Sequence, residues 1–154
     1  MIDLASAWRR IASELPRTSR WLIAGSPLDF VFWAEHRGDA PPLVLQDGTL
    51  LGDTVEVIGE QVFAAGGGAR KTIGIRRDTG EVVGYDPERE TDPWSLYGSN
   101  IDSFVTVFGA VDGAIQGGLG KSAGLEAQIR AAEPAYSRSE WVQLLDVLGD
   151  QNGG

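Results

Sequence analysis

The chain contains no cysteine, one histidine and one methionine among its 154 residues. Without a thiol there is no disulfide scaffold, no cysteine-ligated zinc or iron–sulfur cluster, and no cysteine nucleophile. With His36 alone, no site can gather two imidazoles. Basic residues are scarce: Lys+Arg number 13 against 22 Asp+Glu, a formal charge of −9. Phosphate backbones and anionic membranes need a positive surface to bind them, so neither nucleic acid nor membrane is expected as a partner. Long apolar runs are also missing. None, including Trp21 to Gly25, approaches the ~18–20 residues that cross a bilayer. The N-terminus lacks the apolar stretch of a signal peptide, so the expected location is the cytoplasm.

A chain of ~150 residues buries roughly two-thirds of its unfolded surface, enough for one core without staples. Residues 1–150 are therefore read as a single domain, with 151–154 as a disordered polar tail. Leu4, Trp8, Ile11 and Leu15 share one face of a helix that Asp3 caps and Pro16 ends. This stretch, with Arg9, Arg10, Arg17 and Arg20, is the only net-basic one, and it reads as a surface helix docked by its apolar face. Short apolar runs then alternate with turn residues. Strands are expected at Trp21–Ala24, Phe30–Glu35, Leu43–Leu45, Thr54–Ile58, Gln61–Ala65, Thr72–Arg77 and Glu81–Tyr85, in an antiparallel meander. Helical spacing returns with Ile101, Phe104, Val105, Phe108 and Val111, capped by Ser99 or Asn100. Leu125, Ile129 and Ala132 fit a shorter helix. Ser137 and Glu140 resemble a capping box ahead of Trp141, Leu144, Leu145 and Leu148. A helix, then strands, then helices give an α+β class with a central antiparallel twisted sheet.

Several letter matches dissolve on inspection. Gly117-Gly118-Leu119-Gly120-Lys121-Ser122 lacks the first glycine of a phosphate-binding loop, whose place Ile115 takes, and too little chain follows to complete a nucleotide-hydrolysing domain. Asp78-Thr79-Gly80 spells an aspartic-protease triplet, but it sits between two alternating apolar runs and reads as a turn. His36 follows Glu35 at the end of an aromatic strand, with no nucleophile legible beside it. Gly153-Gly154 follows a helix rather than a β-grasp and reads as part of the tail.

The segment Asp86-Pro87-Glu88-Arg89-Glu90-Thr91-Asp92-Pro93-Trp94 carries more. Four carboxylates stand in seven residues with one arginine, and Trp94, Leu96 and Tyr97 follow directly. The spacing matches no calcium loop, so neither metal nor cofactor is expected. The default reading is a solvated acidic loop; the sharper one is an acidic partner-binding loop, in which Asp86, Glu88, Glu90 and Asp92 supply charge and Trp94 and Tyr97 supply anchors.

The run from Thr72 to Tyr85 (TIGIRRDTGEVVGY) and then Gly98-Ser99-Asn100-Ile101-Asp102-Ser103-Phe104 carry a family pattern. From about Leu50 to Phe108 the chain resembles the SUKH superfamily of bacterial immunity proteins, closest to its fourth class. In that family a strand ending in a turn of this type leads to a return strand, a short final strand and a helix opened by an Asn-x-Ser-Phe-like sequence. The resemblance implies a non-enzymatic protein that binds and neutralises a cognate toxin, commonly a nuclease or deaminase with a basic surface. The same fold family includes regulatory scaffolds, which is the alternative. A small-molecule binder or enzyme gathering His36 and Glu35 is the third reading.

Overall fold

The computed structural model describes residues 3–23, 26–36, 44–45, 48–63, 69–89, 91–117 and 123–152. Helix α1 (Leu4–Glu14) opens at Asp3, whose carboxylate accepts the Ser6 amide at 3.0 Å. It closes before Pro16, where Arg17 donates to the Ile11 and Leu15 carbonyls at 3.0 and 2.8 Å. The Ile11 carbonyl already accepts the Leu15 amide at 3.1 Å, and the guanidinium gives the carbonyls at this helix end a further donor. Strands β1 (Thr18–Ile23) and β2 (Ser26–Phe32) follow, then a four-residue helix α2 (Leu51–Thr54). Strands β3 (Val55–Phe63), β4 (Ala69–Arg76), β5 (Val82–Tyr85) and β6 (Trp94–Gly98) complete a six-stranded antiparallel sheet in sequence order. Helices α3 (Ile101–Gln116), α4 (Ala123–Ala132) and α5 (Trp141–Asn152) end the chain. The class is α+β with an N-terminal helix, an antiparallel sheet and C-terminal helices.

Local signals set some boundaries as expected. Asn100 caps α3 by accepting the Ser103 amide at 2.8 Å. The Asp78-Thr79-Gly80 turn joins β4 to β5, with Gly80 at φ +82 and its amide on the Arg76 carbonyl at 2.9 Å. Other boundaries moved. β1 and β2 each begin three or more residues before the expected starts at Trp21 and Phe30, and they take in Pro27. Pro27 pairs with Leu22, but the β2–β3 ladder begins only at Leu28. Its missing N–H therefore leaves no gap in that ladder. Around Leu43–Leu45 there is a single bridge, Val44 to Leu50, and Leu43 lies outside the described residues. The expected Ser137–Glu140 capping box is absent. Ser137 lies inside a 3-10 turn (Tyr136–Arg138), and α5 starts at Trp141, with the Leu144 amide on the Glu140 carbonyl at 3.2 Å. Gln151 and Asn152, expected in the tail, belong to α5; Gly153 and Gly154 lie outside the described residues.

The largest correction concerns β3, read from sequence as two strands broken near Gly59. It is one strand with a bulge between Val57 and Gly59, where Ile58 has no partner on β4. A strand alternates faces with a period of two, so one extra residue reverses the parity beyond it. Val55 and Val57 thus face one side, while Gln61 and Phe63 face the other. Gly59 sits where β2 comes closest: a Cβ there would stand 2.2 Å from the Val31 carbonyl oxygen.

Both faces of the sheet carry apolar clusters. The larger lies under the helices, where Trp21, Phe30, Phe32, Phe104 and Phe108 pack ring on ring. The smaller lies on the outer face: Leu51, Val55, Val57, Val83 and Tyr85, edged by Trp33, Leu45, Trp94 and Leu96. The segment ending in α2 covers it from outside.

Candidate functional site

The acidic segment leaves β5 at Asp86 and returns to β6 at Trp94. Its turn is built on Asp86, whose side chain accepts the Glu88 amide at 3.0 Å while its own amide donates to the Pro93 carbonyl at 2.9 Å. This Asx-type bond fixes the turn locally. Asp92 takes φ +48, a left-handed conformation that aspartate tolerates better than most residues. Glu88 and Asp92 are exposed, Asp86 is half-buried, and Glu90 lies outside the described residues. Trp94 is half-buried on the outer face. Its ring centroid is 4.8 Å from that of Tyr85, and the Arg76 guanidinium stacks over it at 4.5 Å.

Tyr97 does not join this group. Its exposure is 0%, and it points to the helix side, where its hydroxyl donates to the Gln61 side-chain oxygen. Trp94 and Tyr97 stand three apart in a strand, so they project to opposite faces. The expected second anchor is therefore a core residue. Burial pushes its phenol well above the usual range, and the charges of Glu140 and Asp86 push the same way. Lys71 reaches the same buried region and donates to Ser95 Oγ at 3.3 Å and Glu140 Oε1 at 3.2 Å. These groups tie β4 and β6 to the start of α5 and spend their polar capacity on one another.

His36 also lies elsewhere than its sequence neighbours imply. Its Nδ1 is 2.8 Å from Oε2 of Glu56, not against Glu35. Glu56 is a buried carboxylate, its side chain 5% exposed, at the junction of α1, β3 and the ends of β2 and β4. Trp8 Nε1 donates to the same oxygen at 2.8 Å, and Arg77 donates to Oε1 at 3.0 Å. Arg77 also holds the Gly52 carbonyl at 2.9 Å, which fixes α2 to the sheet. Burial raises the Glu56 pKa, but the hydrogen bonds from Trp8 and His36 and the nearby cations outweigh it, so the net shift is downward. An ionised carboxylate only accepts, which puts a proton on His36 Nδ1. One carboxylate thus joins Trp8 of α1, His36 after β2 and Arg77 after β4, three segments distant in sequence.

A cavity of about 260 Å³ at the sheet edge is lined by Thr18, Ser19, Arg20, Asp29, Phe30 and Val31. Its charges are already paired: Arg20 grips Asp29 through two bonds of 2.7 and 2.9 Å. Among the described residues no three His, Asp or Glu side chains converge to hold a metal ion. No helix among them is long and apolar enough to cross a membrane. The phosphate-loop-like stretch begins at Gly117, which closes α3 through a 3.0 Å bond to Gly113, and its remainder lies outside the described residues.

At the edge of the covered outer cluster, Trp94 stands half-buried beside the exposed carboxylates of Glu88 and Asp92. Sequence reasoning found those carboxylates. It missed Val44 and Leu50, exposed apolar residues 62% and 47% accessible; Val44 belongs to the apolar run Leu43–Leu45, read only as a strand. Fold and surface together define an α+β protein whose helix-backed sheet carries an acidic, partly apolar outer side. Comparison with family models, curated proteins and solved structures finds no match.

Proposed function

We propose that the protein is a non-enzymatic binding module that docks through its acidic outer side onto a basic protein surface, and acts as a cytoplasmic immunity protein of the SUKH type. One observation carries the reading. Glu88 and Asp92 stand exposed on a turn fixed by its own hydrogen bonds, beside the half-buried ring of Trp94. An aromatic anchor with a polar, solvent-accessible rim is the layout of a protein interface. The chain's charge of −9 supports the same partner. Long-range attraction to a basic nuclease or deaminase raises the association rate, and docking there covers the toxin's substrate surface. The buried polar groups around Glu56 and Lys71 are satisfied internally, which favours binding over chemistry.

The test begins with a search for a toxin gene beside this one; where one is found, association with the purified toxin is followed by stopped-flow at several salt concentrations. The double variant E88K/E90K associates roughly tenfold or more slowly at low salt and shows a flatter salt dependence. An unchanged association rate removes the acidic turn from the interface. The alternative, a regulatory scaffold of the same fold, gains ground where no toxin gene is adjacent.

A further inference from the structure

The two edges of the sheet are finished differently. At β6 the start of α5 closes the edge: the Glu140 amide donates to the Leu96 carbonyl at 2.8 Å, and Trp141 Nε1 donates to the Tyr97 carbonyl at 2.7 Å. At the other end of the strand order stands β1, paired with β2 alone. The Phe32 amide donates to the Arg17 carbonyl at 2.9 Å, which makes Arg17 and Phe32 a bonded pair. Bonded and non-bonded pairs alternate along an antiparallel ladder. Ser19 and Trp21 therefore bond to β2, while Thr18, Arg20 and Leu22 turn their N–H and C=O groups away from it. Pro27 opposite Leu22 agrees, since a non-bonded pair asks no N–H of it. Among the described residues, no main-chain group from outside the ladder bonds to these three, and the Arg20 carbonyl takes the exposed Gln116 side-chain amide at 3.3 Å.

Edge strands are commonly protected by a proline, a bulge, a charge or a cover. The six residues of β1 hold no proline, and their register with β2 has no bulge. The outward charge, Arg20, is held by Asp29 on the neighbouring strand through bonds of 2.7 and 2.9 Å. Leu22, on the same face, is 54% exposed. Thr18, Trp21 and Ile23 favour extended backbone.

We propose that β1 pairs antiparallel with β1 of a second copy, joining two sheets into one across a two-fold axis. Charge selects this occupant. Over residues 3–32, Arg9, Arg10, Arg17 and Arg20 stand against Asp3, Glu14 and Asp29, so this end is close to neutral in a chain of −9. It draws neither a basic nor an acidic foreign strand, and it does not repel its own copy. The acidic turn leaves β5, four strands from β1, about 19 Å at the strand spacing of a sheet and more than twice the Debye length at physiological salt. It stays free on each copy for another partner.

The same parity fixes the register, because outward-turned residues must meet outward-turned residues. Arg20 against Arg20 sets like charges directly opposite, which destabilises a ladder. Thr18 against Arg20 carries Leu22 to Pro16, outside the strand, and Leu22 against Leu22 leaves Thr18, Ser19 and Arg20 beyond the partner strand. Arg20 against Leu22 avoids these faults. It puts Trp21 on the axis and lays the aliphatic stem of each Arg20 over the exposed Leu22 of the other copy.

Sedimentation velocity of the full chain over a range of concentrations is expected to show a monomer–dimer equilibrium. Amide hydrogen exchange reads the same equilibrium at single residues. The Arg20 and Leu22 amides gain protection as concentration rises, while that of Trp21, bonded to β2, is protected throughout. In L22P the ladder with β2 keeps its bonds, because the lost N–H faced outward. The dimer loses that donor from both copies and is expected to weaken at least ~10-fold. L22K keeps the N–H but sets lysine opposite arginine, and is expected to weaken the dimer several-fold. The urea midpoint of dilute L22K stays at the wild-type value, since Leu22 is exposed. A chain that stays monomeric at every concentration, a dimer that both variants leave unchanged, or Arg20 and Leu22 exchange that ignores concentration overturns the proposal. So does protection of those amides by a foreign extended segment while the wild-type chain stays monomeric.

Discussion

Replacing Phe108 with alanine is expected to lower folding stability by about 3–5 kcal/mol, the range for deleting a fully buried aromatic ring. Phe108 is 0% exposed and sits at the hub of the helix-side cluster. Its ring centroid lies 5.2 Å from Trp21, 5.1 Å from Phe30, 5.0 Å from Phe32 and 6.0 Å from Phe104. Two of those contacts are edge-on, a geometry worth ~0.5–1.5 kcal/mol per pair beyond area burial. The truncation therefore removes apolar area, opens a cavity and undoes ring packing between α3 and the first two strands. A domain of this size has roughly 5–15 kcal/mol of stability in all. Equilibrium urea unfolding checks the result. F108L, which refills most of the volume, is expected to recover more than half of the loss. A loss below about 1 kcal/mol for F108A would mean that the cluster does not hold α3 to the sheet.

Glu56→Ala is expected to cost about 2–4 kcal/mol. The figure stays below that for a fully enclosed ion pair because Arg77 and His36 keep 39% and 60% of their side-chain surface in water and can rehydrate. What they lose is the acceptor that joins α1, β2 and β4 to one carboxylate, and Trp8 Nε1 is left without its partner. The pH dependence follows from the lowered pKa of Glu56. Above its ordinary value of 4.5 the carboxyl is ionised in both the folded and the unfolded chain, and its contribution is complete. As pH falls below that value, the unfolded chain takes up the proton first. The contribution then shrinks until the folded carboxyl also titrates. Urea midpoints measured between neutral pH and the acid limb should fall less steeply for E56Q than for wild type. Parallel curves would place the acid sensitivity elsewhere.

How far the sequence discloses this molecule depends on the range over which each signal acts. The Asp3 and Asn100 caps, the Asp78–Gly80 turn and the 3.6-residue spacing of α1 and α3 are local, and the structure contains all of them. The bulge in β3 is not local. Ile58-Gly59-Glu60 reads as a break because glycine weakens a strand, whereas here glycine is needed for the close approach of Val31. Alternation also misleads in Val55-Glu56-Val57. The pattern places the valines in the core and the glutamate in water. In the fold both faces are covered, and the glutamate lies on the helix side among donors from three distant segments. Reading Trp94-Ser95-Leu96-Tyr97 as a strand would have separated the outward tryptophan from the inward tyrosine. The acidic turn was legible because its charges are consecutive. The exposed Val44 and Leu50 were not, because exposure depends on tertiary packing that residue type alone does not reveal.

The central claim is that this protein neutralises a basic protein by occupying its surface. The direct measurement is titration of any toxin found encoded beside its gene, with toxin activity and complex stoichiometry recorded in the same samples. The account predicts that activity falls linearly to a residual floor at one equivalent of this protein, with no change in the protein or toxin chains themselves. Undiminished toxin activity at excess protein, or loss that proceeds catalytically at small fractions of an equivalent, would contradict it.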